Sequence, residues 1–283
     1  MSETVIRGRF APPTFDAVAV IRRALSSGSV QVVVTGADLA RSSRLPWTVA
    51  ERTDMLRLAL GEDAGRVTIS VADGRNGESI AHVPALVSAF LDGEDVPAPA
   101  AVAGWLDGFR QTEEFAGMVE EARYVEDYKR AWAMAPYPVI LVSVDTVIVH
   151  ADPRGMPHVL LIRRGGIPGR GNFAIPGGFI EPDEYLLNSA LRELREETGL
   201  VLSDAEAMAR LKGRHVFDDP ERSSRGRVIT HGFHFEFPAG PLPGVEGQDD
   251  AAEARWVPVA DLAQYHGQFF EDHGAILRHF LGD

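Results

Sequence analysis

Cysteine is absent from this 283-residue chain, which excludes disulfides, thiolate nucleophiles and zinc–thiolate sites. No apolar run reaches the roughly 18 residues that a spanning helix needs, and the opening MSETVIRGRF holds no apolar signal region. Basic residues are also in short supply. The 28 Lys and Arg stand against 41 Asp and Glu, a formal net charge of -13, which argues against a nucleic acid or an anionic membrane as partner. A cytoplasmic protein is the expectation. If its substrate is anionic, it must recruit cations and local arginines to offset the repulsion. The length allows two modest domains, each with a core of its own.

The first part of the chain reads as α/β. TVIRGRF, VQVVVTG and VTISVAD have the composition of short strands, the second of the buried parallel type. Between them, DAVAVIRRALSSG and LPWTVAERTDMLRLALG read as helices, with Thr48 as N-cap of the second and Glu51 at the capping-box position. SIAHVPALVSAFLDG is expected to be helical and PAPAAVAGW to be a linker. A helix over EEFAGMVEEARYVEDYKRAWAMAP follows, closed by Pro136 and Pro138. From Tyr137 strands dominate: VILVSVDTVIVH, HVLLIRR, RVITHGFHFEF and ARWVPV. His231 and His234 alternate with Phe233 and Phe235, and both are expected on the solvent face opposite the phenylalanines.

The most specific segment runs from Gly178 to Leu200, GFIEPDEYLLNSALRELREETGL. Leu186, Leu187, Ala190, Leu191 and Leu194 recur at helical intervals and give one apolar stripe. Glu193, Glu196 and Glu197 stand at i, i+3 and i+4, so their carboxylates share a face. Three such charges repel unless a cation lies among them, and hard oxygen ligands suit Mg2+ or Mn2+. Gly199 follows where a left-handed cap is expected. An acidic helix face is ordinarily just solvated. Here glycine, Glu184, Arg192-Glu193, Glu196-Glu197 and Gly199-Leu200 satisfy G-x5-E-x7-R-E-U-x-E-E-x-G-U at every position, U being apolar.

That pattern is the Nudix box, and the chain resembles the Nudix hydrolases. Over about the last 160 residues of the sequence, the stretches YVEDYKRAWAMAPYPVILVSVDTVIV, LLIRRGGIPGRGNFAIPGGFIEPDE, HVFDDPERSSRGRVITHGFHFEF and QDDAAEARWVPVADL are similar to one branch. Its members join a nicotinamide-mononucleotide adenylyltransferase domain to an ADP-ribose pyrophosphatase domain. RGRFAPPTFDAVAVI and RLPWTVAERTDML resemble the adenylyltransferase part. The resemblance implies an α/β chain: residues 1–115 a truncated Rossmann-like nucleotidylyltransferase-type domain, and residues 116–283 a Nudix α/β/α sandwich with a mixed sheet. It also implies a homodimer.

The first domain departs from its family. Nucleotidylyltransferases place H-x-G-H at the first strand-to-helix turn, where two histidines stabilise the transferring phosphates. Thr14, Phe15, Asp16 and Ala17 hold those positions here. Both histidines are lost, an acidic side chain stands where phosphate charge needs neutralising, and the glycine that admits the nucleotide is gone. The downstream Ser/Thr-rich triphosphate motif has no counterpart, since Arg75 and Arg110 lack flanking serines. A degenerate, structural domain is expected.

For the second domain the resemblance implies metal-dependent attack of water on the pyrophosphate of a nucleoside diphosphate derivative, with ADP-ribose giving AMP and ribose 5-phosphate. Glu193, Glu196 and Glu197 are the expected metal ligands, with the backbone carbonyl of Gly177 or Gly178 as a further one. Arg192 is expected to orient the glutamates. Asp250 is the candidate general base, with Asp249 and Glu253 as rivals on the same loop. Arg222, Arg225 and Arg227 in ERSSRGR, with Arg163 and Arg164 after the VLLI strand, are candidate phosphate or ribose contacts. Phe179 and Phe173 could stack on a base, although burial is the commoner fate of such rings. Other readings are a Nudix hydrolase of another dinucleotide or sugar nucleotide, a bifunctional adenylyltransferase, and a non-catalytic ADP-ribose sensor. The sensor is disfavoured by the intact box and by the chain ending soon after VADLAQYHGQFFEDHGAILRHF, with no winged-helix tail.

Overall fold

A computed structural model gives the structure, described for residues 3–74, 78–80 and 82–282; Arg75 lies outside these. The chain divides into two compact units, 1–124 and 125–283. The division falls inside the helix Glu113–Ala131. No helix among the described residues is long and apolar enough to cross a membrane.

In the first unit, strands β1 (Thr4–Gly8), β2 (Val30–Val34) and β3 (Val67–Val71) pair in parallel in the order β1-β2-β3. Helices α1 (Phe15–Leu25) and α2 (Val49–Leu60) connect them. Thr48 caps α2 and Glu51 closes the reciprocal capping box. Thr14 caps α1, its hydroxyl accepting the Ala17 N–H at 3.3 Å, and Asp16 occupies the first turn. The positive end of α1 is thereby met from within the chain. Helix α3 (Pro84–Leu91) is shorter than SIAHVPALVSAFLDG implied, because Pro84 fills its first position.

The PAPAAVAGW stretch is not a linker: α4 (Ala100–Phe109) starts directly after Pro99. Val102, Leu106 and Phe109 fall on one helical stripe and are buried, the last against Trp47 and Phe90. Arg52 is wholly buried in this unit and donates to the carbonyls of Trp47, Arg9, Thr35 and Gly36. Burial, then the nearby Arg9, pull its pKa down to about 10. Helix α5 (Glu113–Ala131) follows.

The second unit is built on β4 (Ile140–Ala151), β5 (Pro157–Arg164), β8 (Leu211–Phe217), β9 (Arg227–Phe237) and β10 (Ala251–Pro258), in the order β10-β5-β4-β9-β8. The short strands β6 (Phe173–Ala174) and β7 (Gly177–Phe179) pair with β5 and β4. Strand β4 runs parallel to β9 and antiparallel to β5, so the sheet is mixed. Helices α6 (Leu186–Thr198) and α7 (Asp204–Arg210) cover one face through Ala190, Leu191, Leu194 and Ala207 on Val144, Ile148, Phe233 and Phe235. Helix α8 (His273–Leu281) covers the other through Ile276 and Leu277 on Val147, Val159 and Leu161. Each fully buried leucine of this kind is worth roughly 2 kcal/mol.

The expected placement of the histidines is half right in direction and wrong in environment. His231 is two residues from Phe233 and shares its face, because a strand alternates with period two. His234 does take the opposite face, yet it is 7% exposed and lies against Phe280.

Candidate active site

Helix α6 ends at Gly199 in the left-handed region, φ 70°, as its sequence predicted. The buried stripe turns Glu193, Glu196 and Glu197 toward the paired strands β4 and β7. Gly178 lets this happen: a Cβ there would fall on the Glu193 carboxylate. Glu197 is 3% exposed and accepts the Gly177 N–H at 2.9 Å. Burial, against that one hydrogen bond, pushes its pKa up to about 8, and Glu193 beside it adds to the rise. Burial also raises Glu193, with Arg192 opposing.

Arg192 ties the box together. Its Nε donates to Glu184 at 3.0 Å, its Nη1 to Glu193 at 2.7 Å and Glu196 at 3.1 Å, and its Nη2 to the Phe179 carbonyl at 3.0 Å. Burial alone would lower its pKa; the bonds to Glu193 and Glu184 outweigh this and hold it above the ordinary value. Glu184 also accepts the Ser189 hydroxyl at 2.7 Å.

These carboxylates open on a cavity of about 380 Å³, lined also by Asp145, Arg164, Phe179, Arg222, Arg225, Asp249, Asp250, Phe270, Glu271 and His273. Asp250 is placed there by its carbonyl, which accepts the Gly165 N–H at 2.8 Å, and Asp249 holds a positive φ of 50°. The same cavity carries a cationic and aromatic wall. Arg225 lies over Phe179 at 4.9 Å and over Phe270 at 5.7 Å; Arg164 lies over Phe270 at 4.2 Å.

The floor is a buried charge network. Arg222, its side chain 2% exposed, donates to Asp272 at 2.7 and 2.9 Å and lies 3.6 Å from Asp145. Asp145 accepts the Thr230 hydroxyl at 2.6 Å, and burial, opposed mainly by Arg222, raises its pKa. His273 accepts the Ile175 N–H through Nδ1 at 3.2 Å, and burial pulls its pKa down to about 3.

The structure therefore gathers Gly177, Phe179, Arg192, Glu193, Glu196, Glu197, Arg222, Arg225, Asp249 and Asp250 around one cavity. It leaves others out. Arg163 donates to the Gly171 carbonyl and lies over Phe173, which is core, and Arg227 donates to the Asp218 carbonyl. Glu253 pairs with Arg255. Arg222 lines the cavity, but Asp272 already takes its fork. Sequence reasoning missed Asp145, Phe270, Glu271 and His273. A lone carboxylate inside the apolar run VILVSVDTVIV was the available signal for Asp145.

As they stand, no three acidic or imidazole groups among the described residues form a ready cage for a metal, since Arg192 holds Glu193 and Glu196. The donors nevertheless fit a hard divalent cation. They are oxygens at a roomy polar cavity, and burial disfavours the charged form of Glu197, which a bound cation would restore.

A mixed sheet between helices, with glutamates from one helix against a glycine pair beside a polar cavity, resembles the architecture of a Nudix domain. Residues 141–280 match the NUDIX domain family. Over all of its length it is similar, at 25% identity and a TM-score of 0.89, to 99% of a bifunctional NMN adenylyltransferase/ADP ribose pyrophosphatase from Francisella tularensis. A second structure of such a protein from Francisella tularensis, complexed with AMP and a Mn ion, shares the fold over 99% of this chain and 98% of its own, at 24% identity and a TM-score of 0.88. In sequence the chain is 34% identical to an ADP-ribose pyrophosphatase of Methanocaldococcus jannaschii over 44% of this chain. It is 31% identical to an ADPR responsive transcriptional repressor of Acinetobacter baylyi over 39%. It spans 65% and 40% of those two proteins, less than two thirds of either.

Proposed function

We propose that the second unit hydrolyses the pyrophosphate bond of a nucleoside diphosphate derivative, ADP-ribose in the first place, to AMP and ribose 5-phosphate with Mg2+ or Mn2+. The observation that carries this is one cavity lined both by the box glutamates and by Arg164, Arg225 and two aromatic rings. The likeness to ADP-ribose pyrophosphatases supports the choice of substrate.

Glu193, Glu196 and Glu197, with the Gly177 carbonyl, would hold the divalent ion, Glu193 and Glu196 turning from Arg192 toward the cavity. When bound, that ion neutralises the phosphates and lowers the pKa of the attacking water. Arg192 keeps the glutamates on one side and binds no substrate. Asp250, at the exposed rim, takes a proton from the water. Phe179 offers a flat surface to the nucleotide or its ribose, and Arg225 stands over that ring toward the phosphates.

The first unit serves as a scaffold without adenylyltransferase activity. Thr14 caps the helix whose N-terminus would receive a phosphate, and Asp16 adds negative charge there. We take the protein to act in the cytoplasm as a homodimer, which sedimentation at micromolar concentration tests.

Phosphate release from a panel of dinucleotides, after phosphatase coupling, tests the activity. ADP-ribose turnover that survives Glu196→Gln unchanged refutes the metal assignment. Formation of NAD from NMN and ATP refutes the scaffold assignment.

A further inference from the structure

The cationic wall of the cavity holds more donors than the protein itself satisfies. Arg164 spends only Nε, on the Pro168 carbonyl at 3.0 Å, and its guanidinium otherwise meets the Phe270 ring. Arg225 directs Nε at the Ser223 hydroxyl, 3.4 Å away, and stands 3.6 Å from the Glu271 carboxylate, an ion pair without a hydrogen bond. Among the described residues the Nη groups of both arginines donate no hydrogen bond. Guanidinium N–H groups at a cavity that hold no acceptor of their own are poised for one on a ligand, and two planar forks against the one Phe270 ring match a phosphoryl group.

The two positive charges repel: Arg225 is among the groups that depress Arg164, after burial itself. Glu197, Glu271 and Asp250 oppose it at Arg164, while Glu271 accepts the Ser223 hydroxyl at 2.6 Å and lies 3.6 Å from Arg225. The backbone at Glu271 is held at a φ of 46°, a region that side chains rarely adopt. It turns the chain so that Phe270 faces Arg164 and Arg225 while Asp272 goes below to Arg222.

We propose that Arg164 and Arg225 form a two-arginine clamp for the phosphate that departs in the hydrolysis, a monoester dianion. This deepens the function proposed above and rests on it. In a disubstituted diphosphate each phosphorus carries a single negative charge. When the water oxygen bonds to one phosphorus, the bond between that phosphorus and the bridging oxygen breaks, and the oxygen leaves with the other phosphate. The electron pair of that bond stays on the leaving phosphate, and one water proton passes to a carboxylate of the site. The leaving phosphate thereby gains a second charge, approaching that of a phosphomonoester. Two guanidiniums complement that charge better than they do the intact substrate. Binding that strengthens along the reaction raises kcat rather than lowering KM.

The test uses the full-length protein with Mg2+, comparing wild type with Arg164→Gln, Arg225→Gln and the milder Arg164→Lys and Arg225→Lys. The clamp predicts a fall in kcat of about a hundredfold in the glutamine variants, with KM for ADP-ribose changed by less than about threefold. It also predicts that inhibition by the monoester products, AMP or ribose 5-phosphate, weakens at least about tenfold, while inhibition by adenosine does not change. The lysine variants should lie between, since they keep the charge and lose the fork. An increase in KM with kcat kept, or unaltered product inhibition, overturns the clamp. If wild type cleaves no diphosphate, the hydrolase reading fails by itself. The clamp is then decided by calorimetric titration with AMP and with ribose 5-phosphate: it stands if at least one binds wild type and binds both glutamine variants at least about tenfold more weakly. It falls otherwise.

Discussion

A Cβ added to Gly178 would fall on the carboxyl group of Glu193. The glycine at the start of the box and the glutamate fifteen positions later are one steric unit. A glycine is needed here for close approach and not for its backbone angles.

Gly178→Ala should therefore push Glu193 out of the site while leaving the fold in place, because β7 is a short strand beside a cavity that can take up the shift. The expected outcome is a loss of about 10- to 100-fold in ADP-ribose turnover, with the Mg2+ concentration for half-activation raised. Full activity at unchanged Mg2+ dependence would mean that Glu193 is not needed where the structure puts it.

Arg192 spends all three guanidinium nitrogens on four partners, Glu184, Glu193, Glu196 and the Phe179 carbonyl. A lysine carries the charge and cannot span that set. Arg192→Lys is expected to lower kcat about tenfold or more with little change in thermal stability, as the side chain lies at the edge of the cavity. Wild-type kinetics in this variant would reduce Arg192 to a surface ion pair.

The helix carrying the box was legible because its information is local. Apolar spacing gave its buried face, glycine its end, and the carboxylates their common side. The capping box of Thr48 and Glu51 was read for the same reason. The rest of the cavity was not, because Asp145, Phe270, Glu271 and His273 come from segments far apart in the chain and meet the box only through the order of the strands. Arg163 and Arg164 show the limit plainly. They are adjacent on one strand, so they point to opposite faces, and only Arg164 reaches the cavity. Prolines also misled: Pro97 and Pro99 suggested a linker, whereas Pro99 directly precedes a helix that the buried stripe of Val102, Leu106 and Phe109 sustains.

In the first unit the side chain with most at stake is Arg52. It is completely buried and saturates carbonyls at the ends of β1 and β2 and in the turn before α2. Arg52→Met keeps much of the volume and leaves those carbonyls without a donor. A loss of about 3 kcal/mol or more is expected, measured by urea unfolding of the full-length chain and followed at tryptophan, since Trp47 lies in the same core. A loss under about 1 kcal/mol would show that water replaces the arginine at no great cost.

His273 gives the molecule an acid-labile point. The imidazole is buried, and the groups around it are Asp145, Asp272, Arg164, Arg222 and Arg225. Its folded pKa of about 3 lies below the ordinary value of 6.5, first because burial disfavours the charged ring. A depressed folded pKa means that the unfolded chain takes up the proton first. The contribution of His273 is thus complete above pH 6.5 and declines as pH falls from 6.5 toward 3, by about 1.4 kcal/mol per unit. Buried Asp145 and Glu271 act with the opposite sign, because burial raises both and protonation favours their folded forms. Only a comparison isolates the histidine. His273→Gln retains an acceptor for the Ile175 N–H and does not titrate. Between pH 6.5 and 5 the stability of wild type relative to this variant should fall by about 2 kcal/mol, read from urea midpoints at each pH. Parallel pH profiles for the two proteins would show that the ring is solvated or already paired when protonated, contrary to its packing beneath the cavity.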